Sequence, residues 1–245
     1  NDNTAIGRTS LSSNTTGDDN AALGVGALQS NTTGLCNTAI GTQAMISSLT
    51  GDGNVAVGYK ALYTNNGSTP DFNVAIGRQS LCKNTTGYRN VGSGLNSLFS
   101  NTTGHSNVAS GDAALYSNTT GSNNTGLGKD SLINATTGSA NVAIGVCAGS
   151  DASMINITTE SNRFIAGHND ITNSYVKVDW TVTSDLRDKT EIGDVPHGLE
   201  FVDKLKPVSF RFKKSRENPE PHGFKKYGFL AQDILELEGS DNVSY

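Results

Sequence analysis

Asn141-Val142-Ala143-Ile144-Gly145, with close variants, recurs through the first 150 residues, opening at Asn3, Asn20, Asn37, Asn54, Asn73, Asn90, Asn107, Asn124 and Asn141. The spacing is 17 residues at every step except Asn54 to Asn73, which is 19. Aligned, the unit reads N-(V/T)-A-(I/V)-G-x-x-(A/S)-L-x-x-N-T-T-G-x-x. A fixed short period predicts a solenoid in which each unit is one coil stacked on the last.

Alternation puts Val142 and Ile144 on one face of a strand and Ala143 on the other. The glycine that follows is present in all nine units, from Gly7 to Gly145. It is expected to need positive φ or a very close backbone approach. A Leu four residues later, as at Leu28, Leu62 and Leu115, supplies a second apolar row. Asn-Thr-Thr-Gly, as at 14–17 and 101–104, has the composition of a turn. Each unit is therefore expected to hold two short strands and two turns. The Val/Ile row and the Leu row are expected inside, with Asn and Thr ladders at the corners, the Asn side chains hydrogen-bonding along the axis. Nine coils at about 4.8 Å each make a rod roughly 40 Å long. So thin a coil encloses few side chains, and a bundle of identical chains is the natural way to bury the remaining apolar faces.

Composition divides the chain. Of 18 Lys+Arg and 23 Asp+Glu, only 13 lie in residues 1–150, and the first Glu is Glu160. From about Asp151 the chain gains Lys, Glu, Pro and its one Trp, Trp180. The expected domains are a shaft over 1–150, a β-rich neck over 151–183 and a terminal domain over 184–245. A net charge of −5 gives no reason to expect nucleic-acid or anionic-membrane binding. No apolar run approaches the roughly 18 residues of a membrane helix, so no membrane insertion is expected. Asn1 falls mid-pattern, and a longer N-terminus is expected. Cys36, Cys82 and Cys147 sit several coils apart and are not expected to form disulfides. His105, His168, His197 and His222 lack ligand spacing, and the Gly-rich stretches lack the ending of a phosphate loop. No metal or cofactor is expected.

One coil is irregular, Tyr63 to Phe72, two residues longer than its equivalents. It is a candidate receptor loop, with Tyr63, Asn66, Pro70 and Phe72 as contacts; the alternative is a tolerated surface insertion. The Asn-x-Thr sequences recur in phase with the repeat, so turn formation accounts for them without sugar.

The repeat over residues 1–149 resembles the head repeat of trimeric autotransporter adhesins of the YadA type. The resemblance implies a left-handed parallel β-roll of nine 17-residue coils and a homotrimer.

Beyond the shaft, Arg163–Gly167 and Tyr175–Val182 alternate like strands and read as the neck. Three motifs follow: Ser184-Asp185-Leu186-Arg187-Asp188-Lys189, then Leu205-Lys206-Pro207-Val208-Ser209-Phe210, and Gly228-Phe229-Leu230-Ala231-Gln232, which opens a helical run. Together they resemble the C-terminal intramolecular chaperone of phage endosialidases and tail fibres, a self-cleaving peptidase family. The resemblance implies a small α+β chaperone domain marked by Arg187, Pro207, Phe210, Gly228, Ala231 and Gln232. It also implies self-cleavage between Ser184 and Asp185 by a Ser184–Lys189 dyad once three chains have assembled. A Lys can activate a serine if desolvation lowers its pKa. Attack of Ser184 on its own carbonyl would close a four-membered ring, which leaves an activated water or a neighbouring chain as the attacking partner. The family continues past the Gln into further helix, so a longer chain is expected beyond Tyr245.

Taken together, the sequence reads as a mainly β, trimeric viral tail fibre. Its expected partners are its own copies, a host cell-surface receptor or glycan, and other virion tail proteins. It would be assembled in the host cytoplasm and be extracellular in the mature particle. Enzyme activity would be at most a single self-directed cut. A bacterial cell-surface trimeric adhesin is the alternative.

Overall fold

The computed structural model describes residues 2–66, 71–151, 155–171, 203–213 and 220–230. They form two units, Asn1–Ile171 and Thr172–Tyr245. The first is a parallel β-solenoid. Its strands are β1 (Thr4–Ile6), β2 (Ala21–Leu23), β3 (Thr38–Ile40), β4 (Val55–Val57), β5 (Val74–Ile76), β6 (Val91–Ser93), β7 (Val108–Ser110), β8 (Thr125–Leu127), β9 (Val142–Ile144) and β10 (Phe164–Ala166). They pair in chain order in one ten-stranded sheet. Each residue lies over its repeat equivalent, as Thr4↔Ala21 and Val108↔Thr125, and the long coil keeps that register with Val55↔Val74. The nine repeat strands thus span eight turns. Arg163–Gly167, assigned from sequence to the neck, supplies β10, which continues the sheet with Phe164↔Val142.

The Val/Ile row is not inside. The middle residue of each strand is buried, as Ala39, Ala56, Ala75, Ala109 and Ala143 are, while Ile6, Ile76 and Ile144 are 59, 45 and 44% exposed. The core of a coil is one Leu flanked by two small residues: Leu62 between Ala56 and Ala61, Leu115 between Ala109 and Ala114, all fully buried. A three-residue strand turns two side chains one way and one the other. The narrow interior admits the single Ala methyl, and the bulkier pair faces out.

The second expected strand is also absent. The core leucines sit in turns with left-handed backbone, φ being 50° at Leu28, 48° at Leu62, 51° at Leu98 and 53° at Leu115. That conformation costs an L-residue about 1–2 kcal/mol. Full burial of a Leu side chain is worth about 1.5–3 kcal/mol, which offsets it. Coil-to-coil bonding persists there, with Leu28 N–H donating to Ala44 O at 3.0 Å and Leu98 N–H to Ala114 O at 3.0 Å.

The glycine after each strand meets both sequence expectations. At Gly58 φ is +135°, outside the region L side chains adopt, and a Cβ would lie 2.6 Å from Gly77 O of the next coil. The residues two and four places later have φ near +50 to +60°, as Gln79 (57°) and Leu81 (51°) do. Non-glycine residues tolerate that smaller angle, so only the first position is always Gly.

Two Asn ladders run up the shaft, and both are buried. In the first, each side-chain oxygen accepts the backbone N–H of the next ladder Asn. Asn37 N–H donates to Asn20 Oδ1 at 3.0 Å and Asn107 N–H to Asn90 Oδ1 at 3.0 Å. In the second, amide bonds to amide: Asn101 Nδ2 donates to Asn84 Oδ1 at 2.8 Å and Asn118 Nδ2 to Asn101 Oδ1 at 2.7 Å. Its breaks are legible in the chain. Ser48 and Ala135 occupy ladder places, and the oxygens that face them, Asn31 Oδ1 and Asn118 Oδ1, have no partner; nor has Ser48 Oγ. The Thr hydroxyls close the outer corner, as where Thr102 Oγ1 donates to Thr119 O at 2.9 Å.

The second unit contains an antiparallel pair, β11 (Val208–Lys213) and β12 (Pro221–Gly228), with a register shift between Phe210 and Phe212.

Candidate functional site

The irregular coil is held in register by one carboxylate. In regular coils the glycine carbonyl of Asn-Thr-Thr-Gly accepts from both ladders: Gly104 O takes Asn90 Nδ2 at 2.8 Å and Asn101 Nδ2 at 2.9 Å. The long coil lacks that glycine, and Asp71 Oδ2 takes its place, accepting Asn65 Nδ2 at 2.8 Å and Asn54 Nδ2 at 3.4 Å. Burial pushes the Asp71 carboxyl above its ordinary range; the amide bonds from Asn65 and Asn54 oppose this, and the Asp52 charge adds to it. The strands on either side keep the common register, with Val55↔Val74 and Val74↔Val91.

Around this coil the candidate loop residues separate. Phe72 is 53% exposed, with its ring across Gly53, where a Cβ would lie 2.8 Å from the ring. Asn66 is exposed and donates its N–H to Thr85 O at 2.9 Å. Tyr63 is half-buried, under Lys60 Nζ at 5.2 Å from the ring centroid. Pro70 lies outside the described residues.

Composition scanning missed the cations beside these rings. Lys60 also lies 5.3 Å from the Tyr59 ring, Arg78 lies 5.9 Å from it, and Lys83 lies 4.9 Å from Phe99. Phe99 stacks on Tyr116 at 5.1 Å, and Tyr88 on His105 at 4.7 Å. The signal was present in the repeat alignment. Tyr63, Cys82, Phe99 and Tyr116 each follow the core Leu of successive coils, so the coil spacing stacks them.

In the second unit, two of the three terminal motifs meet. Pro207 immediately precedes β11; Val208 pairs with Gly228, and a Cβ on Gly228 would lie 3.5 Å from Phe210 Cε1. Val208 and Phe210 are half-buried while Ser209 and Arg211 are exposed. β12 was not among the sequence expectations, which had Gly228 opening a helical run, whereas Gly228 closes the strand. Ser184, Asp185, Arg187, Lys189, Ala231 and Gln232 lie outside the described residues, as does Tyr175–Val182.

Among the described residues no group of His, Cys, Asp or Glu is placed to hold a metal ion. Residues 184–243 match the family described as Chaperone of endosialidase, a peptidase family. No curated protein and no solved structure matches the chain.

Proposed function

We propose that this chain is a trimeric fibre protein of the viral tail-fibre type, whose terminal segment drives assembly and is then released. The observation that carries the reading is the match of residues 184–243 to the endosialidase chaperone family, opening at Ser184 itself. The solenoid supplies a physical need for such a segment. Its outer sheet face carries Ile6, Leu23, Ile40, Ile76, Leu127 and Ile144, each 37–59% exposed in a single chain. About half of each side chain is still exposed, so burying the remainder would yield about 1 kcal/mol per residue, together a strong drive to associate and, before assembly, to aggregate. A domain that brings three chains together in register gives those faces to each other. The shaft then serves attachment to a host surface.

Release is a hydrolysis. One water adds across the Ser184–Asp185 amide, leaving a carboxylate on Ser184 and an amine on Asp185. Ser184 and Lys189 act as the dyad across chains: Lys189 takes the Ser184 hydroxyl proton as general base, that Oγ adds to the Ser184 carbonyl of a neighbouring chain, Asp185 leaves as the amine with the proton, and the water then cleaves the ester. Intact-mass measurement and native sizing of the wild-type chain and Ser184→Ala test both halves. The expected result is trimers from both, with the cut between 184 and 185 only in the wild type. Intact trimers with no cut in either would refute self-cleavage, and cut monomers would refute its coupling to assembly.

A further inference from the structure

The strand face of the shaft is bordered by two long edges whose charges match each other. None of the nine repeat strands carries a charged residue. The charges begin at the borders. The residue after each strand glycine forms the trailing edge, exposed in all nine coils, and its charged members are Arg8, Arg78, Asp112 and Lys129. The residue before each strand Asn forms the leading edge, and its charged members are Asp2, Asp19 and Arg89. At no coil do the two edges carry the same sign. Arg8 shares its coil with Asp2, and Arg78 shares its coil with Phe72. Asp112 lies one coil, about 4.8 Å, from Arg89 along the shaft.

Among the described residues these charges are not satisfied within the chain: the ion pairs present are Lys129–Asp130 and His168–Asp170. Across one strand face they are too far apart to meet. Five residues of extended backbone separate the edges, about 15 Å. Arg78 lies 5.9 Å from the Tyr59 ring of the preceding coil, and so leans away from the coil of Arg89. The Phe72 ring, 53% exposed, lies across Gly53 in that same preceding coil. Tyr59 and Arg78 on one edge and Phe72 on the other therefore occupy the same height.

Parallel copies standing around an axis along the shaft, strand faces inward, bring each trailing edge against the leading edge of the next copy. We propose that the shaft closes its trimer through these edges, Asp112 of one copy meeting Arg89 of the next, and Tyr59 with Arg78 meeting the Phe72 ring of the next. The inference rests on the trimer reading above and names the contact by which the copies join. The uncharged strand faces supply the burial, and the edges supply the electrostatic match that selects a second copy as the partner. Arg78 over Phe72 adds a cation–π contact of the kind it already makes with Tyr59.

The test is cross-linking of the full chain carrying Arg89→Lys with a zero-length carbodiimide, which joins an amine to a carboxylate only where they touch. The expected product is covalent dimer and trimer, with a peptide map that joins position 89 to Asp112. Asp112→Asn in the same chain should reduce that link at least ten-fold. Charge reversal gives a second reading. Asp112→Arg and Arg89→Asp are each expected to raise the concentration at which trimers dissociate at least ten-fold in sedimentation, and the two together to restore it to within about three-fold. The edges of one chain are farther apart than the Debye length of about 8 Å at physiological salt, so rescue reports contact between copies. Trimers that lack the 89–112 link, or a double reversal no better than the single ones, would overturn the edge contact and leave the trimer standing. A wild type that stays monomeric at every concentration would overturn the trimer reading itself.

Discussion

Replacing Ser48 by Asn should stabilise the shaft, because it repairs a ladder that the sequence breaks. The Asn31 carboxamide oxygen and the Ser48 hydroxyl are both buried without partners. An unsatisfied buried acceptor costs about 1–3 kcal/mol, and each hydrogen bond made contributes about 1 kcal/mol net. In Ser48→Asn the new amide nitrogen reaches Asn31 Oδ1, as Asn101 Nδ2 reaches Asn84 Oδ1 at 2.8 Å. Its oxygen would accept the N–H of Asn65 that Asp71 does not use, since an amide carries two donors. Set against the entropy of fixing one more amide, about 1–1.5 kcal/mol at most, the net gain is about 2 kcal/mol per chain. For a chain of this length that raises Tm by roughly 4–8 °C. The assay is urea denaturation followed by circular dichroism, comparing midpoints at constant slope. Asn101→Ser is the mirror control, since it leaves Asn84 Oδ1 without the amide it now receives and should lower the midpoint by a similar amount. If neither substitution moves the midpoint, the stacked amides carry no net stability and the reasoning fails.

The buried Asp71 gives a pH signature. Its carboxyl is held above the ordinary carboxylate range chiefly by burial, so the stability it lends is full below the unfolded pKa and is lost as pH rises through the folded one. Asp71→Asn keeps an oxygen for Asn65 and should match the wild type in acid and exceed it at neutral pH; a constant difference across pH would contradict this. Gly58→Ala sets a Cβ against Gly77 O at 2.6 Å on a backbone at φ +135°. A loss above about 3 kcal/mol is expected, the range reserved for strain that cannot relax, and a near-neutral melt would show that the coils slide apart easily. Leu98→Ala empties the centre of one coil, where Leu98 is fully buried, and should cost about 2–5 kcal/mol in the same denaturation assay.

Much of the shaft was legible because a fixed period places like over like. In-register stacking, the Asn ladders and the glycine after each strand all follow from that one fact, whereas the burial of the ladders and the unpaired oxygens opposite Ser48 and Ala135 emerge only in the structure. The long coil was visible as two extra residues, but the reason it does no harm was not. Asp71 looks like any turn residue until its carboxylate is found where a glycine carbonyl stands in other coils. The aromatic ladder was present in the repeat alignment, but its cations were not evident, because Lys60, Lys83 and Phe99 are distant in sequence and meet only through stacking.

By itself the sequence determined that the chain would coil, the length of each coil and its register, since these depend only on repetition and on where glycine is required. Only the tertiary structure decided which face turns inward. Alternation marks two sides of a strand without ranking them, and the larger apolar side chains suggested the core. The cross-section has room for one Leu and two methyl-sized neighbours in each coil, as at Ala109, Ala114 and Leu115. Space inside the coil, a property of the closed ring of backbone and not of any single residue, therefore sent Val and Ile outward.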